Sequence, residues 1–138
     1  MAREVCYTDR APAPSGPYSQ AVRANGFVFV SGQDARSPEP GGTPPVSLEE
    51  QTRQTLRNLR LVLEAAGSGL ESVVKTTCFL TDIASFDRFN MVYREFFPSN
   101  APARVTVEVS ALVGGILVEV DAVALVREGG GARTDVGA

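Results

Sequence analysis

Two segments with helical periodicity, set among six that resemble β-strands, limit most strongly how this chain can fold. The first helix is predicted from the capping pattern at residues 47–50 to Ala66, with apolar side chains on one side and arginines on the other. The second is predicted over residues 83–97, where Asp82 can cap its start and Pro98 ends it. The strands are predicted at residues 3–8, 18–24, 27–32, 73–81, 104–112 and 116–126.

The order of these elements, β-β-β-α-β-α-β-β, predicts a single α+β domain over residues 1–127. Residues 128–138 have no apolar pattern and are predicted to be a disordered tail. Two helices can cover only one face of a six-stranded sheet. The other face therefore needs a cover, which another copy of the chain can supply. A half-solvated antiparallel sheet is the alternative.

The composition excludes several kinds of chemistry. The sequence has no His, which removes Ser-His-Asp and Cys-His catalysis and His-ligated zinc. Cys6 and Cys78 form no CxxC pair and are expected to be reduced thiols, which predicts a cytoplasmic protein. The net charge of −3, without a basic stripe, argues against binding to nucleic acid. No apolar span is long enough to cross a membrane, and residues 1–20 have no apolar core of a secretory signal.

A charged residue in each of the last two predicted strands is the strongest sign of a site. If residues 104–112 and 116–126 form a hairpin about Gly114-Gly115, then Arg104 and Glu119 lie near each other. One interpretation is a cross-strand ion pair or a carboxylate that faces water. The other is a pocket in which Arg104 grips a substrate carboxylate and Glu119, with a raised pKa, exchanges protons with water.

Other polar residues are candidates through their positions. Tyr18 follows Gly16-Pro17 in a stiff segment, and Ser31 and Gly32 end the apolar strand 27–32, where backbone N–H groups can meet a ligand. Asn90 lies on the second helix among apolar residues. Each also has an ordinary structural interpretation, as a core aromatic, a turn residue or a solvated helix residue. The residues alone predict a small α+β domain and leave open whether it is oligomeric and whether it binds a small acid.

A series of motifs in one order resembles the RidA/YjgF family of reactive intermediate deaminases. The resemblance covers roughly residues 10–127, and GPYSQ, SGQ and PAR together are its most specific parts. The motifs are GPYSQAV (16–22), FVFVSGQ (27–33), QTRQTLRNLRLVLEAAG (51–67), VVKTTCFLTD (73–82), FNMVYREFF (89–97), PARVTVEV (102–109) and VEVDAVA (118–124).

This resemblance implies a fold and an activity. The implied fold is the chorismate-mutase-like (bacillus-type) α+β domain, a six-stranded sheet with two helices on one face, which forms a homotrimeric barrel with sites between subunits. The implied enzyme is of the 2-iminobutanoate/2-iminopropanoate deaminase type, a hydrolase of C–N bonds. It converts 2-aminoacrylate-like enamines and imines to 2-keto acids and ammonia. No metal or organic cofactor is implied.

The resemblance also assigns roles to single residues. Arg104 would hold the substrate carboxylate, Glu119 would position or activate water, and Tyr18 would complete the catalytic set. Thr106 stands where the family archetype has Cys, which bears on substrate preference. The loop at residues 34–46, which borders the implied pocket entrance, also differs from the usual form. The implied substrate-binding residues are Ser31, Gly32, Asn90 and Thr106.

Two alternatives to this activity stay open. Thr106 and the unusual loop are consistent with a specialised relative that acts on a pathway-specific imine or enamine. The second alternative is a non-catalytic or regulatory trimer that binds a small acid. It includes the translation or ribonuclease roles attributed to some relatives.

Overall fold

The computed structural model describes residues 2–127 and the backbone of residues 134–135. It contains a mixed sheet and two α-helices in the predicted order. The helices are α1 (Leu48–Ala65) and α2 (Phe86–Phe96). The strands are β1 (Glu4–Thr8), β2 (Ala21–Ala24), β3 (Phe27–Gln33), β4 (Val73–Leu80), β5 (Ala103–Glu108), β6 (Val118–Leu125) and β7 (Thr134–Asp135). Neither helix in the described part of the chain is long and apolar enough to span a membrane.

The strand order across the sheet is β5-β4-β6-β3-β2-β1-β7. The α+β class and the six strands with two helices are therefore confirmed. The seventh strand, the two-residue β7, pairs in parallel with β1. It lies within the tail that the sequence predicts to be disordered, and the rest of that prediction, at residues 128–133 and 136–138, falls outside the described residues.

The predicted hairpin between the last two long strands is wrong. β4 lies between β5 and β6, parallel to the first and antiparallel to the second. The cause is the connection through α2, because a strand–helix–strand unit places its two strands side by side in parallel. The chain then crosses the end of β4 and enters β6 on the other edge of that strand. Gly114 and Gly115, at φ +77° and +72°, turn the chain within this connection.

Both helices pack on one face of the sheet. Ser47 caps α1 through its side chain, which accepts a hydrogen bond from the Glu50 N–H at 3.2 Å. One side of the helix is then buried against the strands, which removes its apolar surface from water and stabilises the domain. The largest buried apolar side chains of this core are Val28, Leu56, Leu59, Val62, Leu63, Leu80, Phe89, Val92, Val118 and Val120.

The opposite face of the sheet, here called the open face, carries uncovered apolar side chains. Phe29 is 47% exposed, Val105 44% and Leu125 44%. Strand register places Phe29 beside Val123, and Phe27 beside Leu125, so these side chains form a continuous surface. Contiguous apolar surface of this kind is typical of a protein interface. The open face is the one for which the sequence predicts a cover.

Candidate active site

A cavity of about 590 Å³ lies where the end of β3 meets the start of β6. We call it the acid cavity. It contains four of the seven predicted site residues: Tyr18, Ser31, Gly32 and Glu119. The remaining wall includes Ser15, Asp34, Arg36, Pro44, Val113 and Ile116. A volume in this range is typical of small-molecule sites.

Glu119 is the acid of this cavity. It is paired with Phe79 on β4 and is half-buried on the open face. Burial raises the pKa of its carboxyl group above the ordinary value, and the nearby carboxylates of Asp34 and Asp121 raise it further. Arg36 acts in the opposite direction. A carboxyl group of this kind can exchange protons with water closer to neutral pH than an exposed glutamate can.

A bulge in β3 makes room for the Glu119 carboxylate. Between the pairs Val30–Ala122 and Gln33–Val120, β3 has one more residue than β6, and Ser31 and Gly32 lie in this irregularity. A Cβ atom on Gly32 would lie 2.8 Å from the Cδ atom of Glu119. The absence of a side chain at residue 32 is therefore a condition for the observed position of the acid.

Replacement of Gly32 by alanine tests this packing. We expect G32A to lower kcat/KM for the substrate by on the order of tenfold or more, because the new methyl group pushes the Glu119 carboxylate away. Gly16→Ala is the matched control, since its Cβ atom would meet only the Tyr18 ring at an ordinary 3.6 Å. Equal activity of G32A and the parent protein would show that the position of Glu119 does not matter.

Tyr18 and Ser31 are held at the cavity wall by local hydrogen bonds. The Tyr18 hydroxyl accepts a hydrogen bond from the Ser15 N–H at 3.1 Å and lies 3.2 Å from the Ser15 hydroxyl. The bond with the Ser15 side chain is the main cause of a lowered Tyr18 pKa. The Ser31 hydroxyl donates to the Ser19 carbonyl at 2.5 Å, and the Ser31 N–H donates to the Gln20 carbonyl at 3.0 Å. These bonds hold both side chains in the wall of the cavity that Glu119 also lines.

Arg104 lies in a different cleft, of about 370 Å³, between α2 and the edge strand β5. We call it the arginine cleft. Its guanidinium is stacked near three aromatic rings, with Cζ 5.5 Å from the centre of Phe86, 5.6 Å from Phe89 and 4.8 Å from Tyr93. Within the described residues, no ion pair to a carboxylate is formed by Arg104. The aromatic rings hold the cation while its N–H donors stay available for an anion.

Two buried polar atoms lie in this region without a hydrogen-bond partner. They are Oδ1 of Asn90 and Oγ1 of Thr106. Asn90 lines the arginine cleft together with Arg104, and Thr106 follows two residues after Arg104 on the same side of β5. Buried polar atoms are normally paired, so the unpaired oxygen of Asn90 in the same cleft as Arg104 indicates a place for a polar ligand.

Arg104 and Glu119 are not neighbours within one chain. Arg104 pairs with Thr76 on the helix-covered face, where the Thr76 hydroxyl lies 2.8 Å from that of Tyr93. Glu119 pairs with Phe79, which points to the open face because side chains alternate along β4. The two cavities share no lining residue. The prediction that both residues lie together at one end of a hairpin is therefore wrong, since they lie on opposite faces with β4 between them.

The structure adds three residues that the sequence reasoning missed. Asp34 and Arg36 line the acid cavity. The side-chain amide of Asn58 in α1 donates hydrogen bonds to the backbone carbonyl oxygens of both residues. A signal for the first two was present, because they directly follow the SGQ motif that ends β3. Asn58 gave no signal, because its partners are 24 and 22 residues away in sequence.

The fold and the two clefts define a small α+β protein with an acid cavity on the open sheet face and an arginine cleft at its edge. The chain belongs to the RidA/YjgF family. The family model, described as endoribonuclease L-PSP, matches residues 8–126.

Individual relatives agree with this assignment. The chain is 45% identical over 124 residues to a RutC family protein of Pyrococcus abyssi, covering 90% of this chain and 98% of the relative. It is 41% identical over 123 residues to the mouse 2-iminobutanoate/2-iminopropanoate deaminase, covering 89% and 91%. The crystal structure of E. coli TdcF with bound serine matches with a TM-score of 0.85 at 34% identity, covering 91% of this chain and 99% of that chain.

Proposed function

We propose that the protein hydrolyses reactive imines and enamines related to 2-aminoacrylate, releasing 2-keto acids and ammonia. The active site would form between copies of the chain, where the arginine cleft of one copy meets the acid cavity of its neighbour. One observation carries this proposal: a free guanidinium and an acid with a raised pKa lie in separate clefts of a chain whose open face needs another copy. The names of the mouse and plant relatives support the reaction.

The number of copies is proposed as three. The open face is broad and apolar, and a closed ring of three sheets would cover it on every copy without leaving an unmatched surface. Such a ring also creates equivalent sites at each seam. Both cysteines in the described chain are free and buried, which fits a reducing compartment such as the cytoplasm.

The reaction begins with the orientation of the substrate. Arg104 would bind the α-carboxylate through two parallel hydrogen bonds, which fixes the neighbouring imine carbon at one point. The unpaired Oδ1 of Asn90 is suited to accept the imine N–H, and the Thr106 hydroxyl can contact the substrate beside Arg104. An enamine would react as its imine tautomer, because the tautomer has the electrophilic carbon.

Hydrolysis would then use one water molecule and the Glu119 carboxylate. As the water oxygen bonds to the carbon of the protonated imine, the carboxylate takes a proton from that water and the C=N electron pair moves to the nitrogen. In the resulting tetrahedral intermediate, Glu119 returns its proton to the nitrogen and the C–N bond breaks to release ammonia. The new hydroxyl group loses its proton to the carboxylate as the ketone forms, and this proton passes to the ammonia, which leaves as ammonium. Tyr18 and Ser31 would orient the water from the cavity wall.

Two other functions have specific support. Thr106 and Arg36 are consistent with a specialised deaminase that acts on a particular imine. The family description and the names of two related structures, from Thermotoga maritima and Entamoeba histolytica, refer to an endoribonuclease. The net charge of −3 opposes RNA binding. RNA cleavage by nuclease-free protein that is lost in Arg104→Ala would favour the endoribonuclease function.

The direct test supplies 2-iminobutanoate from 2-aminobutanoate and an amino-acid oxidase. We expect the protein to accelerate ammonia release against a chemical trap that competes for the imine. An unchanged rate with this and other small imines would overturn the proposed activity, whereas binding of 2-oxobutanoate without turnover would favour a regulatory protein.

Mixing two inactive variants tests whether the site spans two copies. R104A and E119Q, unfolded together and refolded as mixed trimers, should regain activity, because some seams then combine an intact Arg104 with an intact Glu119. Random mixing of equal amounts predicts about a quarter of the parental activity. Separately refolded variants are the control. A site within one chain would leave the mixture as inactive as its components.

A further inference from the structure

Arg36 lies on the wall of the acid cavity, and the reaction steps proposed above assign no substrate contact to it. It follows β3 closely and lines the cavity with Tyr18 and Glu119. Its Nε atom donates to Oδ1 of Asp34 at 3.0 Å, and its backbone N–H donates to the same oxygen at 3.0 Å. The Arg36 side chain is 36% exposed, whereas that of Asp34 is 11% exposed.

The backbone that carries Arg36 is fixed by the helix layer. Asn58 is fully buried in α1, and its side-chain amide donates to the carbonyl oxygens of Asp34 and Arg36, each at 2.9 Å. A buried amide with two such bonds holds the segment tightly against the domain. Arg36 therefore projects from a rigid base, although the loop that follows is rich in proline and glycine.

The guanidinium of Arg36 keeps donors that Asp34 does not use. A guanidinium has five N–H donors, and the bond to Asp34 uses the one on Nε. The Tyr18 hydroxyl is a second partner, because a hydrogen bond from Arg36 contributes to the lowered pKa of that group. The donors that remain on the Nη atoms can bind a carboxylate.

The negative charges in the wall of the acid cavity explain why a cation in that wall would affect which substrates bind. Asp34 and Glu119 both lie in its wall, so a substrate with a second negative charge would be repelled without a nearby cation. Arg36 supplies that cation on the same wall. The α-carboxylate of the substrate would be bound elsewhere, by Arg104 of the neighbouring copy, which leaves Arg36 free to contact the other end.

We propose that Arg36 is a specificity-determining residue that selects imines whose side chain ends in a second carboxylate. This inference rests on the proposed deaminase function. It assigns the acid cavity a preference for dicarboxylic imines over short monocarboxylic ones.

The test compares two imines in the parent protein and in Arg36→Leu. 2-Iminoglutarate and 2-iminobutanoate are generated by oxidases from glutamate and 2-aminobutanoate. We expect the ratio of kcat/KM for the dicarboxylic imine to that for the monocarboxylic imine to fall by about tenfold to a hundredfold in R36L. The dissociation constants of 2-oxoglutarate and 2-oxobutanoate, measured by calorimetry, should change in the same ratio.

Two further variants separate recognition from structural support. R57L removes an arginine from the exposed side of α1, outside the cavity, and should leave the ratio unchanged. R36K keeps a positive charge beside Asp34 but loses the paired donors, so it should retain the fold and only part of the preference. A merely structural role would change both substrates equally in R36L.

Two outcomes distinguish failure of this inference from failure of the proposed function. If the monocarboxylic imine is hydrolysed but the ratio is the same in the parent protein and R36L, the role of Arg36 is wrong and the deaminase function stands. If neither imine is hydrolysed faster than in buffer, the deaminase function fails, and the inference fails with it.

Discussion

Arg104→Ala is expected to reduce kcat/KM for 2-iminobutanoate by on the order of a thousandfold. The variant loses the guanidinium that stacks on aromatic rings in the arginine cleft. Within the part of the chain that the structure describes, this guanidinium forms no ion pair with a carboxylate. Without it, the substrate carboxylate is unpaired and the imine carbon is no longer held in one position. The measurement is ammonia release against a competing trap.

Two controls separate this effect from loss of folding. R57A removes the same charge from the exposed side of α1 and should keep parental activity. R104K keeps a cation but cannot form two parallel hydrogen bonds with a carboxylate, so its activity should lie between those of R104A and the parent protein. Thermal unfolding should show R104A folded, with a lower melting temperature because its contacts with Phe86, Phe89 and Tyr93 are lost. Full activity of folded R104A would contradict the carboxylate-binding role.

The elements of this fold could be predicted from sequence because their signals are local. Periodicity, capping and proline placed both helices and six strands close to their observed bounds. The pairing of the last two strands could not be predicted correctly, because the two glycines between them resemble a turn. The competing signal was the strand–helix–strand order of β4, α2 and β5, which favours parallel neighbours and leaves β6 the other edge of β4.

The arrangement of side chains in the candidate site also could not be predicted from local sequence signals alone. Tyr18, Ser31, Gly32 and Glu119 meet in one cavity although they come from three separate parts of the sequence. The family motifs identified these residues, but neither motifs nor periodicity specify the register that puts Arg104 and Glu119 on opposite faces. A shift of one residue in pairing would reverse such an assignment.

The placement of Arg104 and Glu119 on opposite faces of the sheet changes the chemistry that the two side chains can perform. An arginine and a glutamate on one face of a hairpin would neutralise each other as an ion pair. On opposite faces, Arg104 keeps its donors and Glu119 keeps a raised pKa, because Arg36 alone among the arginines of residues 2–127 lowers it. The separation therefore preserves both groups for a reaction, on the condition that a second copy brings them together.

Glu119→Gln is expected to lower kcat by about a hundredfold to ten-thousandfold, because glutamine cannot take a proton from water or return one to nitrogen. Binding of 2-oxobutanoate should change much less, since Arg104 holds the carboxylate. In the parent protein, kcat/KM should fall as the pH is lowered through the raised pKa of Glu119, because the carboxylate must be ionised to accept the proton. This decline should therefore begin at a higher pH than an ordinary glutamate would give.

Asp121→Asn provides the control for that assignment. The Asp121 carboxylate raises the pKa of Glu119, so its removal should shift the acidic decline of kcat/KM to lower pH, whereas R36L should shift it to higher pH. The asparagine oxygen can still accept the Thr77 N–H, which bonds to Oδ1 of Asp121 at 3.2 Å. A decline that stays at the same pH in both variants would show that another group controls the reaction.

The pH dependence of the free energy of unfolding is an independent test of the raised pKa of the Glu119 carboxyl group. Because its pKa is raised in the folded protein, the folded state binds the proton more tightly than the unfolded chain does. The free energy of unfolding therefore falls as the pH rises from the ordinary glutamate pKa through the raised value, and the loss persists at neutral pH. E119Q removes this loss and should be at least as stable as the parent protein at pH 7, while it is nearly inactive. Lower stability of E119Q at that pH would contradict the raised pKa and show that the Glu119 carboxylate supports the fold.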